Sequence, residues 1–276
     1  MRLLLLTNRQ PNQVALANKL ADVADVAGVV LSANVPRRKP NIRKRAKLSI
    51  NRIASRTVGR EFIESWFSLQ SRYEAVYRQL PSADVTMVAN INDLQTVEAI
   101  KRVEPDLVVV SGTNLVGPSV IAAAGHGRGI VNLHTGISPY VRGGPNCTNW
   151  CLSKNWFHLI GNTVMWLDLG IDTGNIIATE QTPLTGRESL SDLHWAVMEH
   201  AHGLYVESIR RLGAGIPLPS VPQSSIGAGA YFESVDWNAT TMRAALRNFR
   251  RNYAAHFARD NGSTNSGIRL FPLGDV

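Results

Sequence analysis

The first 31 residues, MRLLLLTNRQPNQVALANKLADVADVAGVVL, decide the fold class. Residues 3–6 form a short apolar run of strand length that ends in a polar turn. Residues 14–20 then carry apolar side chains at helical spacing, and residues 29–31 are typical of a second strand. A strand, a helix and a strand in this order predict an α/β sheet. The turn after the first strand lacks the pattern G-x-G-x-x-G, so no dinucleotide-binding fingerprint is present.

The same alternation returns further along the chain, after an interruption at residues 35–83. That stretch holds a basic block and then a helical insertion in which Phe62, Trp66 and Leu69 share one helix face. A long helix begins after the N-cap Ser189 and ends at Gly213. The remaining predicted strands are residues 85–88, 107–110, 130–133, 164–167 and 176–179, and residues 94–103 form a further helix.

These elements predict one domain over residues 1–215, an α/β fold with a Rossmann-like, mainly parallel sheet and helices on both faces. A linker rich in Pro, Ser and Gly follows at residues 216–230. It opens a small C-terminal element, residues 216–276, which is too short to hold a large core of its own. Within it we expect a helix over residues 240–253 and disorder in the polar residues 260–266.

Composition excludes several classes of protein. Of the 276 residues, 44% are hydrophobic and 18% charged, which is typical of a globular chain. The apolar run at residues 3–6 is too short for a signal peptide, and no stretch approaches membrane-spanning length. Two cysteines cannot build a disulfide framework, so we expect a cytoplasmic protein rather than a secreted one.

The net charge of +8 comes from one local block. Residues 37–60 contain ten Lys or Arg and no acid, and the rest of the chain has 19 bases against 21 acids. Such a block suits the phosphates of a nucleotide, a nucleic acid or an anionic membrane. It is equally well explained as a solvated face without a dedicated ligand.

Three polar residues occur where the predicted sheet should be most apolar. Asn132 and His134 alternate on one strand, so their side chains leave the same face, just before a glycine-rich loop at residues 135–145. Asp172 lies in a turn between glycines at 170 and 174. Ligands of open α/β sheets bind beyond the carboxyl ends of strands. We therefore expect these three residues to form a site.

An amide, a histidine and a carboxylate suit acyl-type chemistry without a covalent nucleophile. A carboxylate beside His134 would raise the pKa of the imidazole, and the charged ring with the Asn132 amide would stabilise an oxyanion. The carboxylate would then accept a proton from an attacking amine. We expect no metal site: Cys147 and Cys151 are interpreted as small core residues, and the two histidines around Ala201 lack a third ligand.

These residues resemble those of a known family. The stretch N-L-H-T-G-I-S-P-Y-V-R-G, residues 132–143, is similar to the motif N-x-H-x-S-L-L-P-x-x-R-G of the 10-formyltetrahydrofolate-dependent formyltransferases. Residues 168–177, D-L-G-I-D-T-G-N-I-I, resemble the family's second motif, D-x-G-x-D-T-G-D-x-x. The resemblance runs from about residue 105 to residue 212, and loosely from residue 1. Two correctly spaced motifs together are specific.

The resemblance implies a role for each residue of the site. Asn132, His134 and Asp172 match the catalytic residues. The folate pocket would be formed by Ser111, Gly112, Thr113, Asn114, Leu115, Leu167, Asp168, Gly170 and Ile171, and the acceptor would contact Thr135, Gly136, Ile137, Ser138, Arg142 and Gly143. The chain departs from the family pattern where S-L-L becomes Gly136-Ile137-Ser138, at the early Pro145, and at Asn175, where an acid is usual.

The resemblance implies formyl transfer from the co-substrate 10-formyltetrahydrofolate to a primary amine. Chain length and the small C-terminal element are most like the sugar N-formyltransferases, which predicts a nucleotide-linked amino sugar for surface polysaccharide as the acceptor. Aromatic residues between positions 62 and 77 are candidates for stacking on its base. Enzymes acting on methionyl-tRNA, which would bind through the basic block, and on glycinamide ribonucleotide remain alternatives, as does formyl-folate hydrolysis. The sequence disfavours nucleic-acid binding without ruling it out, and leaves open whether the chain is a monomer or a homodimer.

Overall fold

The computed structural model describes residues 1–37, 41–82, 84–144, 146–169, 173–259 and 267–274. Its strands are β1 (Arg2–Thr7), β2 (Asp25–Ser32), β3 (Val85–Val88), β4 (Leu107–Val110), β5 (Ile130–His134), β6 (Val141–Gly143), β7 (Gly161–Trp166), β8 (Ile176–Gln181) and β9 (Ala230–Phe232). Its helices are α1 (Pro11–Ala21), α2 (Ile42–Thr57), α3 (Arg60–Val76), α4 (Leu94–Val103), α5 (Pro118–Ala124), α6 (Cys147–Lys154), α7 (Leu190–Gly213), α8 (Ala239–Asn248) and α9 (Ala254–Arg259). A π-helical turn at Phe249–Tyr253 joins α8 to α9.

Within the described ranges, seven strands form one sheet in the order β3-β2-β1-β4-β5-β7-β8. The five strands from β3 to β5 in this order are parallel, whereas β7 pairs antiparallel with both β5 and β8. The prediction of a mainly parallel sheet is therefore confirmed.

The run of four leucines in β1 shows why the sheet needs helices on both sides. Leu3 and Leu5 pack into the core that contains residues of α1 and α7, while Leu4 and Leu6 pack into the core that contains residues of α4 and α5. Each leucine is at most 1% exposed, and burial of each side chain contributes about 2 kcal/mol. A strand buried on both faces is apolar throughout rather than alternating.

The long helix α7 starts where the sequence predicts. The Ser189 hydroxyl accepts a hydrogen bond from the Asp192 backbone N–H at 3.1 Å and donates one to the Asp192 carboxylate at 2.6 Å. This cap satisfies a backbone donor that the first turn would otherwise leave unpaired.

Most of the basic block lies on α2, which the sequence interpretation did not single out as a separate helix. The side chain of Asn41 caps it by accepting a hydrogen bond from the Lys44 N–H at 2.8 Å. None of its residues is buried, and the sequence interpretation assigned this stretch to the basic block. Arg38 and Lys39 lie outside the described residues.

The C-terminal element shares a core with the rest of the protein. Trp237, Met242, Leu246 and Tyr253 belong to one buried cluster with residues of α3, α6 and α7. Strand β9 pairs with β6, a short strand inside the stretch predicted to be a loop. The domain boundary near residue 215 stays a prediction, and the stretch predicted to be disordered, residues 260–266, lies outside the described residues. No helix in the part of the chain that the structure describes has the length and apolarity needed to cross a membrane.

Candidate active site

A cleft of about 610 Å³ opens at the carboxyl ends of β4 and β5, which is within the size range of small-molecule sites. The loop after β4 forms one wall, and residues 165–168 at the end of β7 form another. The turn before α1, one side of α3 and the segment around β9 complete the lining. Among the described lining residues, Asp168 is the one carboxylate, and none is Lys or Arg.

Asn132 and His134 both line this cleft, as their alternation on β5 predicts. His134 is only 9% exposed. Its Nε2 atom lies 3.2 Å from the Val141 carbonyl oxygen and 3.5 Å from the Cys147 sulfur. Because a carbonyl can only accept, Nε2 carries a hydrogen in this arrangement. The ring orientation is thus set by the start of β6 and by α6.

Gly136 leaves the space that the imidazole occupies. A Cβ atom at this position would lie 2.6 Å from His134 Nε2 and 2.9 Å from both Cβ and Sγ of Cys147. Distances this short cannot be tolerated without movement of a neighbour. Position 136, where the family motif has serine, is therefore glycine in a place where the buried Cys147 and His134 leave no room for a side chain.

A tyrosine from α7 bridges the two strands that carry the site. Strands β4 and β5 pair from Val108 and Ile130 to Val110 and Asn132, and the Tyr205 hydroxyl lies between two backbone groups near the end of this ladder. It accepts a hydrogen bond from the Val110 N–H at 3.0 Å and donates one to the Val131 carbonyl at 2.7 Å. Complete burial raises the pKa of Tyr205, so the hydroxyl stays protonated. The next residues, Ser111 and Asn132, line the cleft.

Asparagines from other loops hold the wall formed by residues 111–116. The side-chain amides of Asn8 and Asn34 donate to the Gly112 carbonyl at 2.6 and 2.9 Å, and Asn34 also accepts from the Asn114 N–H at 2.9 Å. Gly112 has φ +73°, and a Cβ there would lie 2.9 Å from the Gln13 amide nitrogen. The close approach and the left-handed conformation both require glycine.

The opposite rim depends on the pairing of β6 with β9. Gly143 has φ +93°, and a Cβ there would lie 2.1 Å from the Phe232 carbonyl oxygen. The neighbouring Arg142 has a buried Nε atom without a hydrogen-bond partner among the described residues. Tyr231 and Ser234 bring the C-terminal element to the cleft.

The structure brings most of the predicted site residues together. Among them, those that line the cleft are Ser111, Gly112, Thr113, Asn114, Leu115, Asn132, His134, Thr135, Gly143, Leu167 and Asp168. Gly136, Ile137, Ser138 and Arg142 are not in its lining, and Ile137 and Ser138 are fully buried. Gly170, Ile171 and Asp172 lie outside the described residues. The roles of all these residues stay predictions.

Sequence reasoning missed several parts of the lining. Asn12 on α1, Met198 on α7 and Tyr231 on β9 carry no motif that would have indicated them. Trp66 was not missed, since it falls within residues 62–77, whose aromatic side chains were candidates for stacking on a base. It lines the cleft half-buried, whereas Phe62 is in the core.

Comparison with known proteins identifies relatives of this chain. Residues 38–209, more than half of the chain, match the family model described as formyl transferase. The methionyl-tRNA formyltransferase of Clostridium perfringens is 30% identical over 119 residues, which are 43% of this chain and 38% of that protein. The match thus spans less than half the length of that relative.

Two solved structures show the same fold. A sugar N-formyltransferase from a Shewanella species has a TM-score of 0.56 and 14% identity, covering 89% of this chain and 88% of its own. A 4-N formyltransferase from Francisella tularensis has a TM-score of 0.55 and 14% identity, covering 90% and 87%. At this identity the likeness concerns the fold.

Proposed function

The chain belongs to the formyl transferase family, and we propose that it transfers the formyl group of 10-formyltetrahydrofolate to the amino group of a nucleotide-linked amino sugar. The observation that carries this proposal is the shared position of Asn132 and His134 on one wall of a ligand-sized cleft. The matched family segment includes both residues and the loops on either side of them.

In the proposed reaction the amine nitrogen attacks the formyl carbon, and negative charge develops on the formyl oxygen. The Asn132 side-chain N–H and protonated His134 stabilise this oxyanion. Asp172, whose role rests on the family motif, keeps the imidazole charged and accepts the proton lost by the amine. Collapse breaks the bond from the formyl carbon to N10 of the folate, which takes up a proton. The products are a formamide and tetrahydrofolate.

The walls of the cleft suit a folate. The loop at residues 111–116 and the residues Leu167 and Asp168 border it, and the asparagine contacts hold that loop in place. Backbone N–H and C=O groups of such a loop are suited to hydrogen-bond the pterin edge, while Leu115, which is 60% exposed, offers an apolar contact. No metal is needed for this chemistry.

Two features favour a nucleotide-linked sugar as acceptor. Trp66 and Tyr231 border the cleft with partly exposed rings, which are suited to stack on a base. The fold likeness to the Shewanella sugar N-formyltransferase also covers nearly the whole chain. A cytoplasmic location, where both substrates would be made, belongs to this proposal.

A panel of acceptors tests the activity. Nucleotide-linked amino sugars, glycinamide ribonucleotide and methionyl-tRNA are each incubated with 10-formyltetrahydrofolate. Mass spectrometry then shows whether the mass of each acceptor has increased by that of one CO. Turnover of an amino sugar is the expected result. If only methionyl-tRNA or only glycinamide ribonucleotide is formylated, the proposed amino-sugar acceptor is wrong and that compound is the acceptor. Release of formate without a formylated amine would indicate a hydrolase.

Substitutions test the proposed catalytic residues. His134→Ala and Asp172→Asn are expected to lower kcat by about 100-fold or more because each removes a proton-transfer or charge-stabilising group. His126→Ala is the matched control, since this histidine is exposed and remote from the cleft. Near-wild-type release of tetrahydrofolate by His134→Ala would refute the assignment.

A further inference from the structure

The outer face of α2 combines features that are seldom exposed together. Ile42, Ile50 and Ile53 are 84%, 65% and 66% exposed. With 100° between successive helical residues, these three, Ala46 and Thr57 fall within an arc of about 80°. The result is an apolar stripe along the full length of a surface helix.

Basic residues border this stripe on both sides. At the same helical spacing, Arg45, Arg52 and Arg56 lie along one edge of it, and Arg43 and Lys47 lie along the other. All five are exposed, and the helix contains no acidic residue.

The opposite side of α2 seats the helix on the protein. The Asn51 amide donates to the Val235 carbonyl at 2.8 Å, and the Lys44 ammonium pairs with the Glu233 carboxylate at 3.1 Å. The Ser55 hydroxyl lies 3.9 Å from the Met242 sulfur. The apolar stripe therefore points away from the fold, and no described segment covers it.

We propose that the outer face of α2 docks on the surface of an anionic lipid bilayer. The surface of an anionic bilayer offers an apolar layer for the isoleucines and negative charge for the flanking basic residues, both in one plane. Isoleucine side chains reach the junction between headgroups and acyl chains, while flanking arginines bind lipid phosphates. Nucleic acid would satisfy the arginines but would gain nothing from the isoleucines, and a second copy of α2 would bring like charges together.

Docking through α2 would hold the cleft near the membrane. Segment 233–242, which α2 packs against, directly follows β9, and Tyr231 and Ser234 of this region line the cleft. The proposal does not depend on which amine is formylated.

Vesicle sedimentation of the full chain tests the proposal. Vesicles contain phosphatidylcholine alone or with about one third phosphatidylglycerol, and the bound fraction gives a partition coefficient. The wild-type protein is expected to bind only the anionic vesicles. Ile50→Ser with Ile53→Ser, and Arg52→Gln with Arg56→Gln, are each expected to lower the partition coefficient about tenfold or more. Arg243→Gln with Arg247→Gln, exposed positions on α8, is the matched control for charge.

Each result is decisive. Binding that both α2 variants lose and the α8 control keeps supports the proposal, provided that the thermal midpoints of all variants match the wild type. No binding to anionic vesicles overturns it, as does full binding by the isoleucine variant, since charge alone would then suffice. Salt-sensitive binding of tRNA without vesicle binding would assign the basic face to nucleic acid and also overturn it.

Discussion

Gly136→Ala distinguishes the placement of His134 from the stability of the fold. The new Cβ would lie 2.6 Å from Nε2 of His134 and 2.9 Å from Cβ of Cys147. The imidazole must retreat by about 0.8 Å to regain a contact of 3.4 Å, and Cys147, at the start of α6, must move by about 0.5 Å for the same reason. Both movements disturb the contacts that set the orientation of the ring.

The cost is expected to fall mainly on catalysis. Displacement of a reacting group by about 1 Å lowers kcat/KM about 100-fold, or about 2.7 kcal/mol of transition-state stabilisation. The hydrogen bond from His134 to the Val141 carbonyl would weaken as well. Together with local overpacking, this lowers the free energy of unfolding by between about 1 and 3 kcal/mol. The protein should thus remain folded but nearly inactive.

Tetrahydrofolate release at saturating acceptor gives the rate, and urea unfolding gives the stability. Gly203→Ala on α7 is the control: a Cβ there meets nothing within 4 Å, so we expect wild-type activity and a stability gain of up to about 1 kcal/mol. The family motif carries serine at position 136, which alone would suggest that alanine is harmless. Wild-type kcat/KM in Gly136→Ala would refute the argument that glycine here positions the imidazole.

Three further predictions concern the scaffold. Tyr205→Phe should lower the free energy of unfolding by about 1 to 3 kcal/mol and also reduce kcat/KM, because it unpairs backbone groups between β4 and β5; urea unfolding with unchanged stability would contradict this. Burial lowers the pKa of His194 to about 4 and of His202 to about 3, below the usual 6.5. As the pH falls, these histidines are therefore protonated in the unfolded chain before they are protonated in the folded protein. Stability should therefore fall by about 3 kcal/mol between about pH 7.5 and 5.5, and His202→Leu should roughly halve that loss in urea titrations at the two pH values. Ser189→Ala removes the cap hydroxyl that pairs with Asp192 and should cost about 1 kcal/mol at unchanged kcat/KM; loss of activity at unchanged stability would refute a purely capping role.

Local sequence patterns were sufficient to predict the sheet. Strands β3 and β4 and helix α4 have the predicted bounds because each is a compact apolar or amphipathic segment with clear ends. The start of α7 was predictable because Ser189 and Asp192 are a local cap. The parallel direction of strands β1 to β5 follows from the alternation of strands and helices along the chain.

Elements held by distant contacts were not predictable. Strand β6 has three residues, lies in a glycine-rich stretch and exists through pairing with β9, about 90 residues later. Helix α2 contains no buried residue, and its local signals, the Asn41 cap and isoleucines at helical spacing, do not indicate that it packs against residues 233–242. Of the site, Asn132 and His134 were predictable because polar residues interrupt a buried strand. Met198 reaches the cleft from α7, a placement that depends on tertiary packing, and the same packing decides that Trp66 is the aromatic residue of segment 62–77 that lines the cleft.

Tyr205 links the core of the protein to the cleft. Its hydroxyl accepts a hydrogen bond from the Val110 N–H and donates one to the Val131 carbonyl, so that neither backbone group is left buried without a partner. Strands β4 and β5 end their pairing at Val110 and Asn132, and the residue after β4 and Asn132 itself line the cleft. Because Tyr205 is anchored on α7, the ends of both strands are tied to a 24-residue helix that packs across one face of the sheet. Substitutions deep in α7 that displace Tyr205 are therefore expected to alter the site, although they lie outside its walls.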